Sequence, residues 1–297
     1  MKKTISTRAI HWFRQDLRLS DNPALTAAAQ AGEVYCIYIL DDENAGHDAM
    51  GSASRWWLHH SLKALDESLG GMLSVYCGDP KTIIPKLAKN LRCDGVYWND
   101  CYEPWRIRRD QQLKAGLEEQ GISVHCFNGA LLWQPEAVLK ADGTPYQVFT
   151  PFYRNSCLNT KTPREPLPPP KRMSRLKAPD SMAIADALPL PEIRWYAQME
   201  VIWKMGEKAA QQRLHQFLQS DIKHYHKGRD YPAKQNVSRL SPHLHFGELS
   251  PNQAWYAAKT SGDSKAVDTF CKELAWREFS HTQLYYFPGL PSRNLRS

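Results

Sequence analysis

Glu33-Val34-Tyr35-Cys36-Ile37-Tyr38-Ile39-Leu40 is apolar from Val34 onward, rich in β-branched and aromatic residues, and bounded by Gly32 and Asp41. A run of that length and composition reads as a β-strand buried on both faces. Similar short runs recur at residues 8–13, 72–78, 95–99 and 122–128. Between them, residues 22–31, 52–69, 80–91 and 103–120 place apolar side chains at three- and four-residue spacing, the mark of amphipathic helices. Strand and helix in alternation predict an α/β fold with a parallel sheet covered on both sides. Two helix starts are marked in the sequence itself, by Asn22-Pro23 and by Asp79-Pro80.

A sheet of this kind commonly holds a ligand at the carboxyl ends of its strands. No GxGxxG follows the first strand and no GxxxxGK occurs anywhere, so neither a nicotinamide-type site nor a phosphate loop is indicated. The first strand instead runs into Phe13-Arg14-Gln15-Asp16-Leu17-Arg18-Leu19. Arg14, Asp16 and Arg18 suit a ligand, and equally suit buried ion pairs that lock the loop to the sheet.

The 297 residues suffice for two domains, and a 42% hydrophobic content supplies cores for both. Composition shifts near Pro151, and residues 162–172, Thr-Pro-Arg-Glu-Pro-Leu-Pro-Pro-Pro-Lys-Arg, exclude helix and internal strand. Residues 136–198 therefore read as an inter-domain connector, loop-like through Pro191, between an α/β domain (1–135) and a helical region (199–297). In the latter, residues 206–219 read as a helix with Ala209, Leu214, Phe217 and Leu218 on one side. Ser241-Pro242 and Ser250-Pro251 read as serine caps followed by proline, and a long helix is expected over 265–286.

Residues 1–160 hold 17 Lys and Arg against 18 Asp and Glu, whereas residues 161–297 hold 21 against 13. A polyanion would bind the basic back half, although a solvated lysine-rich surface has the same composition. No apolar run is long enough to span a bilayer, and Met1-Lys2-Lys3-Thr4 has no apolar stretch behind it to make a secretory signal. Seven cysteines without a CxxC pair suggest reduced thiols and a cytoplasmic location. His59-His60 and His243/His245 lack the acidic or thiol partners of a metal site, so no metal is expected.

Two patches in the back half carry chemistry. Asn236-Val237-Ser238-Arg239-Leu240-Ser241-Pro242 gathers two hydroxyls and a guanidinium before a helix start, which suits an anion such as a pyrophosphate. Serines ahead of proline are also ordinary caps. On the 265–286 helix, Phe270, Glu273 and Arg277 share one stripe, flanked by Trp276 and Ser280. An acid, an indole and a guanidinium there suit recognition of a base edge. A structural Arg–Glu pair beside a packed tryptophan is the competing reading. Tyr225 and Arg229 upstream add a ring and a cation.

Taken together, residues 11–25 (His-Trp-Phe-Arg-Gln-Asp-Leu-Arg-Leu-Ser-Asp-Asn-Pro-Ala-Leu), Tyr225 with Gly228-Arg229-Asp230-Tyr231-Pro232-Ala233, Ser238 through Gly247, and Glu273 through Phe279 resemble the photolyase/cryptochrome family in order and spacing. Within it, bacterial class I cyclobutane pyrimidine dimer photolyases are most similar. The resemblance covers essentially the whole chain. It implies a Rossmann-like α/β antenna domain, a long connector and an all-α FAD-binding domain, present here only in part. It further implies a monomeric, light-driven enzyme that splits cyclobutane dimers in UV-damaged DNA with an electron from reduced FAD. By position, Tyr225, Val237, Ser238, Arg239, Leu240, Ser241, Phe270 and Arg277 would contact FAD. Arg229 and the run Glu273, Leu274, Ala275, Trp276, Arg277, Glu278, Phe279 and Ser280 would face DNA. Glu273 would hydrogen-bond the flipped dimer and Trp276 would stack on it, as the catalytic pair.

The chain departs from the family pattern at several points. Val237 lacks the hydroxyl often found there, and Phe270 stands where several relatives carry tryptophan. Trp105-Arg106 replaces the Asn-Glu of folate-binding relatives, which argues against methenyltetrahydrofolate and leaves a deazaflavin, another pigment or none. Family members also continue through a further helical stretch beyond the position of Ser297. On that resemblance, residues 1–297 alone are expected to hold FAD poorly and to repair little. A cryptochrome-like photoreceptor and a non-redox nucleotide-binding α/β module are the alternatives.

Overall fold

The structure is a computed structural model that describes residues 7–231, 233, 236–262 and 264–295. Met1 through Thr4, Pro232, and Arg296 with Ser297 lie outside the described residues. Five strands, β1 (Thr7–Phe13), β2 (Gly32–Leu40), β3 (Ser74–Cys77), β4 (Gly95–Asn99) and β5 (Ser123–Phe127), pair in parallel in the order β3-β2-β1-β4-β5. Helices α1 (Pro23–Ala31), α2 (Ser52–Ser68), α3 (Pro80–Leu91) and α4 (Pro104–Glu118) form the crossovers. The near-continuous apolar strands divide by alternation into two faces. Ile10 and Trp12 of β1, with Tyr35, Ile37 and Ile39 of β2, pack with Leu87, Leu113 and Leu117 of α3 and α4. Ala9 and Phe13, with Val34, Cys36, Tyr38 and Leu40, pack with Leu25 of α1 and Trp57, Leu62 and Leu65 of α2. The predicted starts hold: Asn22 accepts from Leu25 N at 3.0 Å and Asp79 from Lys81 N at 3.0 Å.

The connector is built into both cores. α5 (Phe149–Pro151) and the π turn Phe152–Cys157 send Phe149, Phe152 and Cys157 into the helical core. The proline-rich segment then leads to β6 (Ser174–Leu176), which pairs parallel with the start of β2. Met182 N donates to Val75 O at 2.8 Å. α6 (Ile184–Ala187) and α7 (Ala197–Ile202) follow, with Ala187, Leu188 and Tyr196 in the sheet's core. The expected loop through Pro191 is thereby corrected. A three-residue strand and a single helical turn are too short to leave a periodic signal.

The helical module comprises α8 (Glu207–Gln216), a π turn Phe217–Asp221, α9 (Ile222–Gly228), α10 (Ser241–His245), α11 (Pro251–Thr260) and α12 (Lys265–Tyr286). α12 matches its expected span. α8 ends earlier than expected and buries Ala210 rather than Ala209, because Ala210, Leu214 and Phe217 fall at i, i+4 and i+7 on one face. Ser250 caps α11 with Gln253 in a reciprocal pair, as predicted. Ser241 does not cap α10: Leu240 occupies that position with helical dihedrals and no side-chain bond. No described helix is long and apolar enough to cross a membrane.

Candidate functional site

α9 and α12 lie side by side, and their contact brings together residues that are far apart in sequence. The Arg229 guanidinium pairs with the Glu273 carboxylate, both about one-third exposed. One turn along α12, Trp276 remains 43% exposed and stacks on Phe149 with centroids 3.6 Å apart and rings 10° from parallel. Ser280 is exposed on the same side, its hydroxyl donating to Trp276 O at 3.0 Å. Beneath them, Tyr225 and Phe270 are buried in contact with Phe217, centroids 5.1 to 5.7 Å apart. Burial pushes the Tyr225 hydroxyl up to about 12, helped by Glu273 and opposed by Arg229.

The turn over residues 236–241 abuts the end of α9. A Cβ on Gly228 would lie 2.3 Å from Asn236 Cβ, so only glycine allows this approach. Arg213 of α8 anchors the turn, donating from Nε to Ser238 O at 2.8 Å and from Nη2 to Val237 O at 2.9 Å. Leu240 is buried, whereas Arg239 and Ser241 are exposed. Arg239 holds φ at +55°, and among the described residues its guanidinium has no hydrogen bond or ion pair. Contact therefore runs from the turn through Gly228 to Arg229, Glu273 and Trp276.

Four members of the α12 run turn inward, away from the face that carries Glu273, Trp276 and Ser280. Leu274, Ala275 and Phe279 join the helical core, and Glu278 is 2% exposed. The Glu278 carboxylate accepts from Leu132 N at 2.8 Å, while Arg277 donates to Ala130 O at 2.7 Å. With 3.6 residues per turn, an eight-residue run must face both ways. Burial pushes the Glu278 carboxyl from 4.5 up to about 7, against the pull of Arg277 and the two amides. Its folded value exceeds its unfolded one, so the stabilisation from its proton is complete below about pH 4.5 and lost as pH rises through 7. Relative to Glu278→Gln, the wild type should lose roughly 3 kcal/mol between pH 4.5 and 8 in urea unfolding. A pH-independent difference between the two proteins would refute this.

Arg14, Asp16 and Arg18 act as a structural bolt. Arg14 pairs with Asp110 and donates to Asn99 O, and Asp16 accepts from Arg14 N at 2.6 Å. Arg18 donates to Asp21 O, to Gly129 O at 2.6 Å and, across the domain junction, to Gly247 O at 2.9 Å. Asp21 accepts from Leu167 N at 2.9 Å and Ser250 Oγ at 2.5 Å, and Glu207 accepts from Leu19 N at 2.7 Å. Buried Glu248 accepts from Gly206 N at 2.7 Å and Trp57 Nε1 at 3.2 Å, with His243 Nδ1 2.5 Å away. Sequence reasoning missed Arg213, Phe149, Glu207 and Glu248 altogether. Each lies in a segment without a motif and acquires its partner only on folding. Among the described residues no group of histidine, cysteine, aspartate or glutamate side chains could hold a metal ion.

A doubly wound parallel sheet bolted to a helical module, with a guanidinium-bearing turn beside an acid–indole stripe, defines an α/β-plus-helical protein. The family model described as DNA photolyase matches residues 9–171, and the chain belongs to the DNA photolyase family. A deoxyribodipyrimidine photo-lyase of Agrobacterium fabrum is 40% identical over 294 residues, covering 96% of this chain and 60% of the relative. Among solved structures, a bacterial class III photolyase from Agrobacterium tumefaciens superposes with a TM-score of 0.90 at 37% identity, over 99% of this chain and 62% of that one. An archaeal photolyase from Sulfolobus tokodaii, solved with two FAD molecules, gives 0.79 at 27% identity over 98% and 62%. The chain thus spans about 60% of the length of these relatives.

Proposed function

We propose that this chain serves light-driven repair of cyclobutane pyrimidine dimers in UV-damaged DNA, with the 236–241 turn holding FAD and the α12 stripe receiving the lesion. The observation that carries the reading is that Glu273 and Trp276 stay at the surface of α12, beside Arg229. The donor set fits a flavin dinucleotide: Arg239 has no protein partner among the described residues, and the Ser238 and Ser241 hydroxyls flank it. Those groups would bind the pyrophosphate, and Arg213 keeps the turn in shape by occupying two of its carbonyls. FAD held there in its reduced form would supply the light-driven, returned electron that opening of the cyclobutane ring requires. Arg229 would take a phosphate of the DNA and release Glu273, whose carboxylate accepts from a ring N–H of the flipped base. Trp276 offers the lesion a stacking face, held in place by Phe149.

An antenna pigment would lie in the cleft of about 240 Å³ lined by Tyr38, Glu103, Trp105, Arg106, His245 and Phe246. The guanidinium of Arg106 covers the Trp105 ring at 4.7 Å. These two side chains replace the Asn-Glu pair of folate-binding relatives, which argues against methenyltetrahydrofolate and leaves a deazaflavin, another pigment or none.

The test separates the two surfaces by titration of residues 1–297 with FAD and with a dimer-containing oligonucleotide. Glu273→Ala should weaken dimer binding about tenfold or more and leave FAD affinity unchanged, since a charged hydrogen bond is lost. The Ser238→Ala, Arg239→Ala double variant should do the reverse. Exchanged phenotypes would mean the two sites are swapped, and no response to FAD at any concentration would sink the reading. Dimer binding with no repair under blue light would favour a photoreceptor.

A further inference from the structure

A second cavity of about 240 Å³ opens at the carboxyl ends of β4 and β5 and shares no lining residue with the antenna cleft. Its walls come from Trp98, Asp100 and Tyr102 after β4, Lys114 of α4, Cys126 of β5, and Tyr285 near the end of α12. The carboxyl ends of strands in a doubly wound sheet are where ligands commonly sit.

Two polar groups here lack partners. Trp98 is 1% exposed, and among the described residues its indole N–H has no hydrogen-bond partner. A buried donor left unmade costs stability, so its retention points to a ligand acceptor. Among the described residues the Asp100 carboxylate has no hydrogen bond or ion pair either, and burial pushes it up to about 6. The other acids are engaged: Asp110 pairs with Arg14 and Arg109, and Glu136 accepts from Tyr285 Oη at 2.7 Å. Two tyrosine rings, Tyr102 and Tyr285, meet edge to face at 6.3 Å and form an aromatic wall.

Size and charge narrow the ligand. Pockets that bury drug-sized ligands measure roughly 300–1,000 Å³, so this cavity suits a small planar ring system. Lys114 as the one lining cation against an unpaired carboxylate excludes a phosphate ester. We propose that the cavity binds a nucleobase-sized planar nitrogen heterocycle with an exocyclic amine. The amine donates to Asp100, a ring nitrogen accepts from the Trp98 indole, and the ring lies against Tyr102 and Tyr285.

The inference does not depend on the flavin reading, and it is tested on residues 1–297 without FAD. 2-Aminopurine fluorescence should be quenched saturably, with purine, which lacks the amine, bound about tenfold more weakly or worse. Asp100→Asn should lower 2-aminopurine affinity by about the same factor, since an amide keeps only one acceptor. In the wild type, 2-aminopurine should slow maleimide alkylation of exposed Cys126 and leave exposed Cys77 unchanged, as read by peptide mass. These wild-type measurements decide the matter if Asp100→Asn does not fold. Equal affinity for purine, an unprotected Cys126, or equal protection by spermidine would overturn the proposal.

Discussion

Gly247→Ala is expected to be the most damaging single substitution outside the hydrophobic cores. Gly247 holds φ at +67°, and a Cβ there would lie 2.0 Å from Gln15 O and 2.6 Å from Asp16 Cα. Both obstacles are backbone of the loop that follows β1, so neither can swing aside. The left-handed conformation costs about 1–2 kcal/mol for alanine, and forced overpacking adds roughly 1–3 kcal/mol. A total of about 2–5 kcal/mol would remove a large share of a typical 5–15 kcal/mol. Gly70→Ala is the internal control, because Gly70 has φ of +70° with nothing within 4 Å of an added Cβ. If thermal unfolding places the two variants together, steric contact between the modules is not what makes residue 247 a glycine.

Arg18→Met should have a comparable effect for a different reason. Arg18 is 1% exposed and spends its donors on carbonyls of Asp21, Gly129 and Gly247. Methionine fills most of the volume yet leaves those carbonyls without a donor, while the Asp21 carboxylate keeps its ion pair with Arg164. Leaving buried carbonyls unpaired typically costs about 1–3 kcal/mol each, and three of them lose their donor here. Because one of these bonds crosses to the helical module, urea unfolding should separate into two transitions, the helical module melting first. A single transition at the wild-type midpoint would show that the junction is held by other groups. Both variants act on the placement of α10 and α11 against the sheet, and so on the turn that precedes α10.

The fold class was legible because parallel strands buried on both faces must be continuously apolar, as residues 34–40 are, while the crossover helices need apolar residues on one side only. The span of α12 was legible for a similar reason, with Ser264 capping its start through Val267 N at 3.3 Å. Much less of the candidate site could be read. Spacing placed Glu273, Trp276 and Arg277 on adjoining faces, but it could not say that Trp276 would rest on Phe149 from the connector. Nor could it separate Arg277, directed to Ala130 O, from Arg229, paired with Glu273 at the surface. The loop at residues 14–18 had two readings of equal merit, ligand holder or ion-pair lock. Its partners at residues 99, 110, 129 and 247 resolved that choice.

The amino-acid order alone determined the parallel sheet, its crossover helices, the proline-rich connector, the long terminal helix and the family likeness. Each rests on local periodicity, capping or a contiguous motif, which a chain carries before it folds. Tertiary structure decided which polar residues are fastened inside and which remain open to a ligand. Arg18 and Arg239 are chemically the same side chain: the first is exhausted by buried carbonyls and the second is free in solvent. That difference lies in burial and in the partners folding supplies, and neither is encoded at any single position.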